Sequence, residues 1–215
     1  MIKNVLFDLD GTLADTSGGI LDSIAKAAAV LGLPAGDEAE MKKFIGPPLK
    51  PAFMAHYGLD EEAATEAVRV FRGFYAETGK YICELYGGIA DMLQQLKAAG
   101  YRLFVATSKP TVFAEEILKR LGVDGYFEAI VGSNLDNTRG AKHEVIDYIL
   151  QSYGVDPAAS VMIGDKAQDL IGAARCGLAG IGITFGYGSR EELAAEPHVA
   201  LLDTPADIVT FLGGM

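Results

Sequence analysis

The chain has 215 residues, half of them apolar and 22% charged, which is typical of a globular protein with one large domain or one domain that carries an insertion. Its net charge of −11 argues against nucleic acid or an anionic membrane as a partner. Cys83 and Cys176 form no CxxC pair, no secretory signal is visible, and no apolar stretch approaches the ~20 residues of a membrane span. These features predict a reduced, cytoplasmic protein.

The first predicted strand, 4–7, runs directly into two carboxylates two positions apart. Its consecutive apolar residues are typical of a strand buried on both faces of a parallel sheet. Because Gly11 breaks the strand, Asp8 and Asp10 should lie at its carboxyl end, where open α/β sheets bind ligands. An extended backbone would direct both side chains to the same side. Such carboxylates repel each other unless a proton or a cation lies between them, which predicts a metal site, a proton site or both.

The stretch 16–81 shows only helical patterning, interrupted near 32–34 and 46–48. A helical insert that follows the first strand would stand over the carboxyl end of that strand. We therefore predict a helical cap domain over 16–81 and a core domain formed by 1–15 and 82–215. The alternative is that these helices extend the helical layer of the core.

Beyond the insert, apolar runs alternate with amphipathic segments. Strands are predicted over 101–106, 129–131, 160–163, 180–184 and, more weakly, 199–202. Helices are predicted from 89 to a stop at Gly100, and over 112–121, 142–153 and 167–176. Strands separated by helices of about ten residues form βαβ units. The expected fold class is therefore α/β, a Rossmann-like parallel sheet with an inserted α-helical domain.

Polar or charged side chains come after three of the later strands. They are Thr107 and Ser108, then Lys142, then Asp165 and Asp169. Together with Asp8 and Asp10, the strand ends supply four carboxylates, two hydroxyls and an ammonium. Carboxylate oxygens suit Mg²⁺, and hydroxyl donors with a fixed ammonium suit phosphate oxygens. This set predicts a site for a phosphomonoester with Mg²⁺.

Four motifs resemble those of the haloacid dehalogenase-like superfamily. They are Asp8-x-Asp10-Gly11-Thr12-Leu13-x-Asp15-Thr16, Thr107-Ser108, Lys142, and Gly164-Asp165-x-x-x-Asp169. The helical insert after the first motif resembles the cap of the phosphoglycolate phosphatase-like subfamily. The resemblance covers essentially the whole chain, and the first and fourth motifs together are highly specific.

The resemblance implies hydrolysis through an aspartyl-phosphate. Asp8 would be the nucleophile that attacks phosphorus. Asp10 would be the general acid that protonates the leaving alcohol, and then the base that activates water. Lys142 would neutralise charge on the transferring group and hold the nucleophile in place.

The same resemblance implies the phosphate and metal ligands. The Thr107 hydroxyl and the Ser108 backbone N–H would bond the phosphoryl oxygens, and Gly11 is also placed in this phosphate site. The implied Mg²⁺ ligands are Asp8, Asp10 (through its backbone carbonyl), Asp165 and Asp169.

Some of these residues have structural alternatives. Asp169 could ligate through water, orient Lys142, or serve only the dipole of its helix. Many relatives have proline after the third-motif lysine, where this chain has His143, which we expect on a helix surface. Lys109 and Arg139 are the alternative cations if Lys142 points elsewhere.

A carboxylate at position 10 favours phosphate ester chemistry over dehalogenation, because a halide needs no proton. The resemblance implies a Mg²⁺-dependent phosphatase of small phosphomonoesters, a monomer or homodimer, with phosphoglycolate as the candidate substrate. Alternatives are a 5′-nucleotidase-type nucleoside monophosphate phosphatase, a sugar-phosphate mutase, and a non-catalytic protein that retains the fold.

Substrate selection is predicted to reside in the insert. Gly46 and Pro47 belong to a rigid turn, and Lys50 could meet a substrate carboxylate. Phe53 and its aromatic neighbours are expected in the core of the insert rather than as a nucleobase platform. The glycine-rich segment 185–188 is interpreted only as a flexible turn.

Overall fold

The structure is a computed structural model that describes residues 1–46, 48–136 and 138–214, without the side chains of Glu38 and Ala39. The chain separates into two compact units. The first, here called the sheet unit, comprises Met1–Asp15 and Leu85–Met215, and the second, the helical unit, comprises Thr16–Glu84.

Eight strands are found in the described residues: β1 (Asn4–Phe7), β2 (Ala14–Asp15), β3 (Glu84–Leu85), β4 (Arg102–Pro110), β5 (Ala129–Ser133), β6 (Ser160–Gly164), β7 (Ala179–Ile183) and β8 (Ala200–Leu202). Six of them form one sheet in the order β5-β4-β1-β6-β7-β8, and neighbouring strands are parallel. β2 and β3 form a separate two-stranded sheet. The predicted α/β fold class is confirmed.

The register of the three central strands brings the predicted motifs to one edge. Every residue of β1 is buried, as expected of a strand covered on both faces. Phe7 pairs with Val105 of β4 and with Ile163 of β6. The first, second and fourth motifs therefore leave the sheet at the same level.

The end of β4 differs from the prediction. The strand continues to Pro110, and its pairing with β5 shifts register between Ala106 and Pro110. Thr107 and Ser108 consequently lie in an irregular strand end and not in the loop that follows. The hydrophobic pattern of the sequence did not predict that β4 continues over Thr107 and Ser108, because both residues are polar.

The described helices are α1 (Ser17–Leu31), α2 (Glu38–Met41), α3 (Leu49–Tyr57), α4 (Glu61–Glu77), α5 (Ile89–Ala98), α6 (Thr111–Arg120), α7 (Lys142–Tyr153), α8 (Ala167–Arg175), α9 (Arg190–Ala194) and α10 (Pro205–Gly213). Short 3₁₀ turns occupy Lys42–Phe44, Gly79–Tyr81, Asp124–Tyr126 and Pro157–Ala159. In the sheet unit, Val145, Ile146 and Ile149 of α7 share a buried cluster with Leu6 and Phe104 of the sheet. This packing fixes the start of α7, where Lys142 lies.

The helical unit contains α1 to α4 and has its own core. Ile24 of α1 and Phe71 of α4 are among its buried residues. Asp60 caps α4, because its carboxylate accepts a hydrogen bond of 2.8 Å from the Ala63 N–H. Phe53 is fully buried, and its ring centroid lies 5.1 Å from that of Phe44. Phe53 is therefore a core residue.

None of the helices in the described ranges combines the length and the hydropathy that are needed to cross a bilayer.

Candidate active site

The turn after β1 presents Asp8 at the edge of the sheet. The Asp8 N–H donates to the Ile163 carbonyl at 2.9 Å, which extends the pairing of β1 with β6 by one residue. The chain then turns sharply at Gly11, where φ is 83°, a conformation that favours glycine. A Cβ at Gly11 would lie 2.3 Å from Oδ2 of Asp165. Glycine is thus required by the close approach of a carboxylate as well as by the turn.

Lys142, the first residue of α7, lies among three acceptors. Its Nζ is 2.8 Å from Oδ1 of Asp8 and 2.8 Å from Oδ1 of Asp169, and it donates to the Ala106 carbonyl at 2.9 Å. Burial by itself would lower the pKa of this ammonium, but Asp169 and Asp8 outweigh burial and raise it. Lys142 is therefore a fixed cation that contacts the predicted nucleophile.

Asp169 has two contacts that explain its orientation. Oδ1 pairs with Lys142, and Oδ2 accepts a hydrogen bond of 3.1 Å from the Lys166 N–H at the start of α8. The side chain therefore caps the helix and also orients the lysine. Burial raises the pKa of Asp169, Lys142 opposes that shift, and Asp8 adds to it.

Asp165 follows β6 and is completely buried. The Thr12 hydroxyl donates to its Oδ1 at 3.1 Å, and the Tyr187 N–H donates to its Oδ2 at 2.8 Å. Burial and the charges of Asp169 and Asp8 raise the pKa of Asp165 to about 7, although both hydrogen bonds act in the opposite direction. Two hydrogen bonds therefore hold this carboxyl in place.

Asp8, Asp165 and Asp169 form a buried acidic triad. One carboxylate oxygen from each lies within 4.8 Å of the others. Lys142 is the cation that contacts two of the three, so full ionisation leaves the triad with two excess negative charges. Buried excess charge is costly unless a cation binds or a proton is taken up. The donor set of hard oxygens fits a divalent ion such as Mg²⁺.

Asp10 pairs with a different cation from the one that contacts Asp8 and Asp169. Nζ of Lys109 is 2.8 Å from Oδ1 of Asp10, and the two side chains are only 6% and 10% exposed. Lys109, predicted as a replacement for Lys142, thus serves a different carboxylate. The contact of the Asp10 backbone carbonyl with a metal stays a prediction.

Thr107 and Ser108 lie on β4 between Ala106 and Lys109, which both contact charged side chains of the site. Ala106 accepts the Lys142 bond, and Lys109 pairs with Asp10. Thr107 is buried, and its hydroxyl oxygen accepts a hydrogen bond of 3.2 Å from the Lys109 N–H. Their role in phosphate binding, like that of Gly11, stays a prediction.

Arg139 and His143 take other positions. Arg139 donates to the Gly132 carbonyl at 2.8 Å, and its guanidinium lies 4.3 Å from the centre of the Tyr148 ring. The Arg139 side chain thus contacts β5 and α7 and not the acidic triad's lysine position. His143 does not displace Lys142 from its ion pairs, so the absence of proline after the lysine leaves the lysine in its predicted place.

The predicted specificity residues belong to the helical unit. Gly46 has a φ of 102°, consistent with a tight turn, and Lys50 pairs with Glu61 at 2.7 Å. Pro47 lies outside the described residues. The part of these residues in substrate selection stays a prediction.

Thr12 and Tyr187 are site residues that the sequence did not single out. Thr12 belongs to the first motif, but neither its charge nor its spacing from the carboxylates predicted a role for it. Tyr187 belongs to the segment 185–188, interpreted as a flexible turn, whereas its N–H bonds directly to Asp165. The signal available was one glycine on each side of Tyr187, because glycines indicate close backbone approach as well as a turn.

Comparison with known proteins identifies a family and several relatives. The sequence profile of the family described as Haloacid dehalogenase-like hydrolase matches residues 5–183. A 5′-nucleotidase of Pseudomonas aeruginosa is 47% identical over 192 residues, which are 89% of this chain and 87% of that protein. The Tyrosine-protein kinase PtkA of Mycobacterium tuberculosis is 38% identical over 93% of this chain and 69% of that protein.

Two further relatives extend the comparison. A Phosphoglycolate phosphatase of Vibrio vulnificus is 27% identical over 97% of this chain and 95% of that protein. The crystal structure of a predicted phosphatase from Clostridium acetobutylicum superposes with a TM-score of 0.96 at 39% identity and covers 100% of both chains.

Proposed function

Since the chain belongs to the haloacid dehalogenase-like hydrolase family, we propose that it is a Mg²⁺-dependent phosphatase that hydrolyses nucleoside 5′-monophosphates through an aspartyl-phosphate. The observation that carries the metal-dependent chemistry is the buried triad of Asp8, Asp165 and Asp169, with one Lys142 contacting two of its members. When Mg²⁺ is bound there, it offsets the repulsion between a carboxylate nucleophile and an anionic phosphate.

The residues of the sheet unit supply the remaining chemistry. A carboxylate oxygen of Asp8 attacks phosphorus, the bond from phosphorus to the leaving oxygen breaks, and Asp10 gives its proton to that oxygen. Water then attacks the phosphoryl group while Asp10 takes back a proton, and inorganic phosphate leaves with Asp8 restored. Lys142 balances charge throughout and keeps Asp8 oriented.

Phosphate binding is assigned to the end of β4. The Thr107 hydroxyl and the Ser108 N–H are the donors for the phosphoryl oxygens, and Gly11 allows the substrate to approach the backbone. Donors that are fixed before the reaction stabilise developing charge without reorganisation. Burial of Thr107 in the irregular strand end supports this assignment.

The choice of substrate rests on similarity. The Pseudomonas 5′-nucleotidase shares 47% identity with this chain, against 27% for the Vibrio phosphoglycolate phosphatase. Nucleoside 5′-monophosphates are therefore the proposed substrates. Phosphoglycolate is the second candidate, supported by similarity over 97% of this chain. We further propose that the helical unit, with Gly46 and Lys50, selects between them.

A phosphate-release assay with Mg²⁺ tests the proposal. Purified protein is offered a panel of nucleoside 5′-monophosphates, phosphoglycolate and sugar phosphates, with Asp8→Asn as the inactive control. We expect the highest kcat/KM on a nucleoside monophosphate. Higher efficiency on phosphoglycolate would select the second candidate, and movement of phosphate to another hydroxyl without release would indicate a mutase. A parent protein that releases phosphate from none of them contradicts the proposal.

Lys50 offers a test of substrate selection. Lys50→Ala removes an ammonium that could meet a substrate carboxylate, and Lys26→Ala removes a comparable ammonium that pairs with Asp22 in the same unit. If phosphoglycolate is the substrate, Lys50→Ala should raise KM for it, whereas Lys26→Ala should not. If nucleoside monophosphates are the substrates, both variants should keep the parental KM.

A further inference from the structure

The segment 185–188 (Phe-Gly-Tyr-Gly), here called the tyrosine loop, lies directly against Asp165. A Cβ at Gly186 would be 2.4 Å from Cβ of Asp165, and a Cβ at Gly188 would be 1.8 Å from the Asp165 carbonyl oxygen. No side chain fits at either position without displacing the backbone. The two glycines therefore allow the loop to close over a member of the acidic triad.

Tyr187 forms hydrogen bonds through both its backbone and its side chain. Its backbone N–H donates to Oδ2 of Asp165 at 2.8 Å, and its side-chain hydroxyl donates to Oδ1 of Asp15 at 2.8 Å. Asp15 belongs to β2, at the end of the first segment of the sheet unit. Tyr187 thus connects a triad carboxylate to β2, which lies 172 positions before Tyr187 in the sequence.

Neighbouring aromatic residues hold the loop from another side. The Tyr86 side chain lies close enough to that of Tyr187 to interact with it electrostatically. The ring of Tyr86 also packs against Phe185 in an edge arrangement, with 5.4 Å between the ring centres. The position of the Tyr187 N–H is therefore set by side-chain contacts of the loop and not by the hydrogen bond to Asp165 alone.

We propose that Tyr187 is a positioning residue of the metal site: its hydroxyl, anchored on Asp15, holds the tyrosine loop so that its N–H fixes Asp165 for binding a divalent cation. The inference rests on the proposed metal-dependent function. Groups that orient a metal ligand from outside change metal affinity by about 10–100-fold when they are removed. Loss of the hydroxyl should act at the low end of that range, because the N–H itself remains.

The test compares two tyrosines that each lose one hydroxyl. Tyr187→Phe removes the bond to Asp15. Tyr101→Phe removes a bond of the same length, 2.8 Å, to the Leu212 carbonyl in the same unit and is the matched control. Binding of Mg²⁺ alone is measured by calorimetry without substrate, and the thermal midpoint is measured without metal. We expect Tyr187→Phe to raise the Mg²⁺ Kd about tenfold and Tyr101→Phe to leave it unchanged.

Variants of Asp15 give an independent readout. Asp15→Ala should weaken Mg²⁺ binding as Tyr187→Phe does. Asp15→Asn should retain most of the affinity because it keeps a hydrogen-bond acceptor. The double variant Tyr187→Phe with Asp15→Ala should bind Mg²⁺ no more weakly than either single variant. An unchanged Mg²⁺ Kd in Tyr187→Phe overturns the inference, whether or not its thermal midpoint falls. A parent protein that binds no Mg²⁺ overturns the proposed metal-dependent function, and this inference with it.

Discussion

Lys109 and Asp10 form a buried ion pair at the carboxyl edge of the sheet, with 2.8 Å between Nζ and Oδ1. It is separate from the pairs that Lys142 makes with Asp8 and Asp169. Asp8 and Asp10, two positions apart in the first motif, are thus each paired with a different ammonium. Lys142 thus provides the cation for the proposed nucleophile, and Lys109 provides the cation for the proposed proton donor.

Loss of Lys109 should destabilise the fold. Lys109→Met deprives a buried carboxylate of its cation, and breaking a buried pair costs about 3–5 kcal/mol. We expect the free energy of unfolding in urea to fall by about 3 kcal/mol. In Lys26→Met, which breaks an exposed pair with Asp22, it should change by less than about 1 kcal/mol. Equal stability of the parent and Lys109→Met would contradict the burial of this pair. The double variant Lys109→Met with Asp10→Leu should recover part of the lost stability, because it also removes the unpaired carboxylate.

Loss of Lys142 should act on turnover. Lys142→Met removes the ammonium that contacts Asp8 and balances charge, and loss of one such electrostatic contact typically costs about 10²–10³ in kcat. Steady-state kinetics on the best substrate of the panel measures the effect. Lys166→Met, whose lysine lies 3.8 Å from Glu192, is the control and should change kcat by no more than a few-fold. A similar small change in Lys142→Met would remove the lysine from the mechanism.

Mg²⁺ should stabilise the protein more as the pH rises. The pKa of Asp165 is raised to about 7 in the metal-free fold, so the folded protein binds more protons than the unfolded chain at mildly acidic pH. The stability contributed by this carboxyl is therefore lost as the pH rises through about 7, where the charge appears. A cation competes with that proton.

The difference in thermal midpoint with and without Mg²⁺ measures this competition, because titrations unrelated to the site cancel in the difference. It should grow from about pH 6 to about pH 8, on either side of the Asp165 pKa. In Asp165→Asn, which cannot ionise, the difference should be small at every pH. A larger effect of Mg²⁺ at the acidic end would show that the site does not titrate as described.

A methyl group at Gly188 should disrupt the tyrosine loop. The added Cβ would lie 1.8 Å from the Asp165 carbonyl oxygen, so backbone must move. Overpacking of this kind costs about 1–3 kcal/mol, and we expect Gly188→Ala to lose that amount in urea unfolding together with Mg²⁺ affinity. Gly125→Ala is the control, since no heavy atom lies within 4 Å of its added Cβ. A Gly188→Ala variant with parental stability would contradict the close approach.

The convergence of the motifs could be predicted from the sequence because it follows from strand order. Buried apolar runs ending in polar residues placed Asp8 and Asp165 at the edge of a parallel sheet, and the register of β1 with β6 brings them together. The start of α7 at Lys142 followed from helical periodicity. These features depend on local patterns and on a general rule of sheet topology.

The remaining contacts could not be predicted because they depend on irregular backbone. The Lys109–Asp10 pair depends on the register shift at the end of β4, and the contact of Tyr187 with Asp165 depends on a loop 22 residues further along the chain. Neither is encoded in periodicity. The glycines of that loop carried the information, but glycine alone does not distinguish a mobile turn from a packed one.

The most direct test of the proposed chemistry is detection of phosphate on Asp8. Protein mixed with Mg²⁺ and excess substrate is quenched in acid during turnover and digested, and the peptide that contains Asp8 is analysed by mass spectrometry. We predict that this peptide gains the mass of one phosphoryl group in the parent, and that Asp8→Asn neither turns over nor gains it. Turnover by Asp8→Asn, or a phosphoryl group found on another residue in its place, would contradict the account.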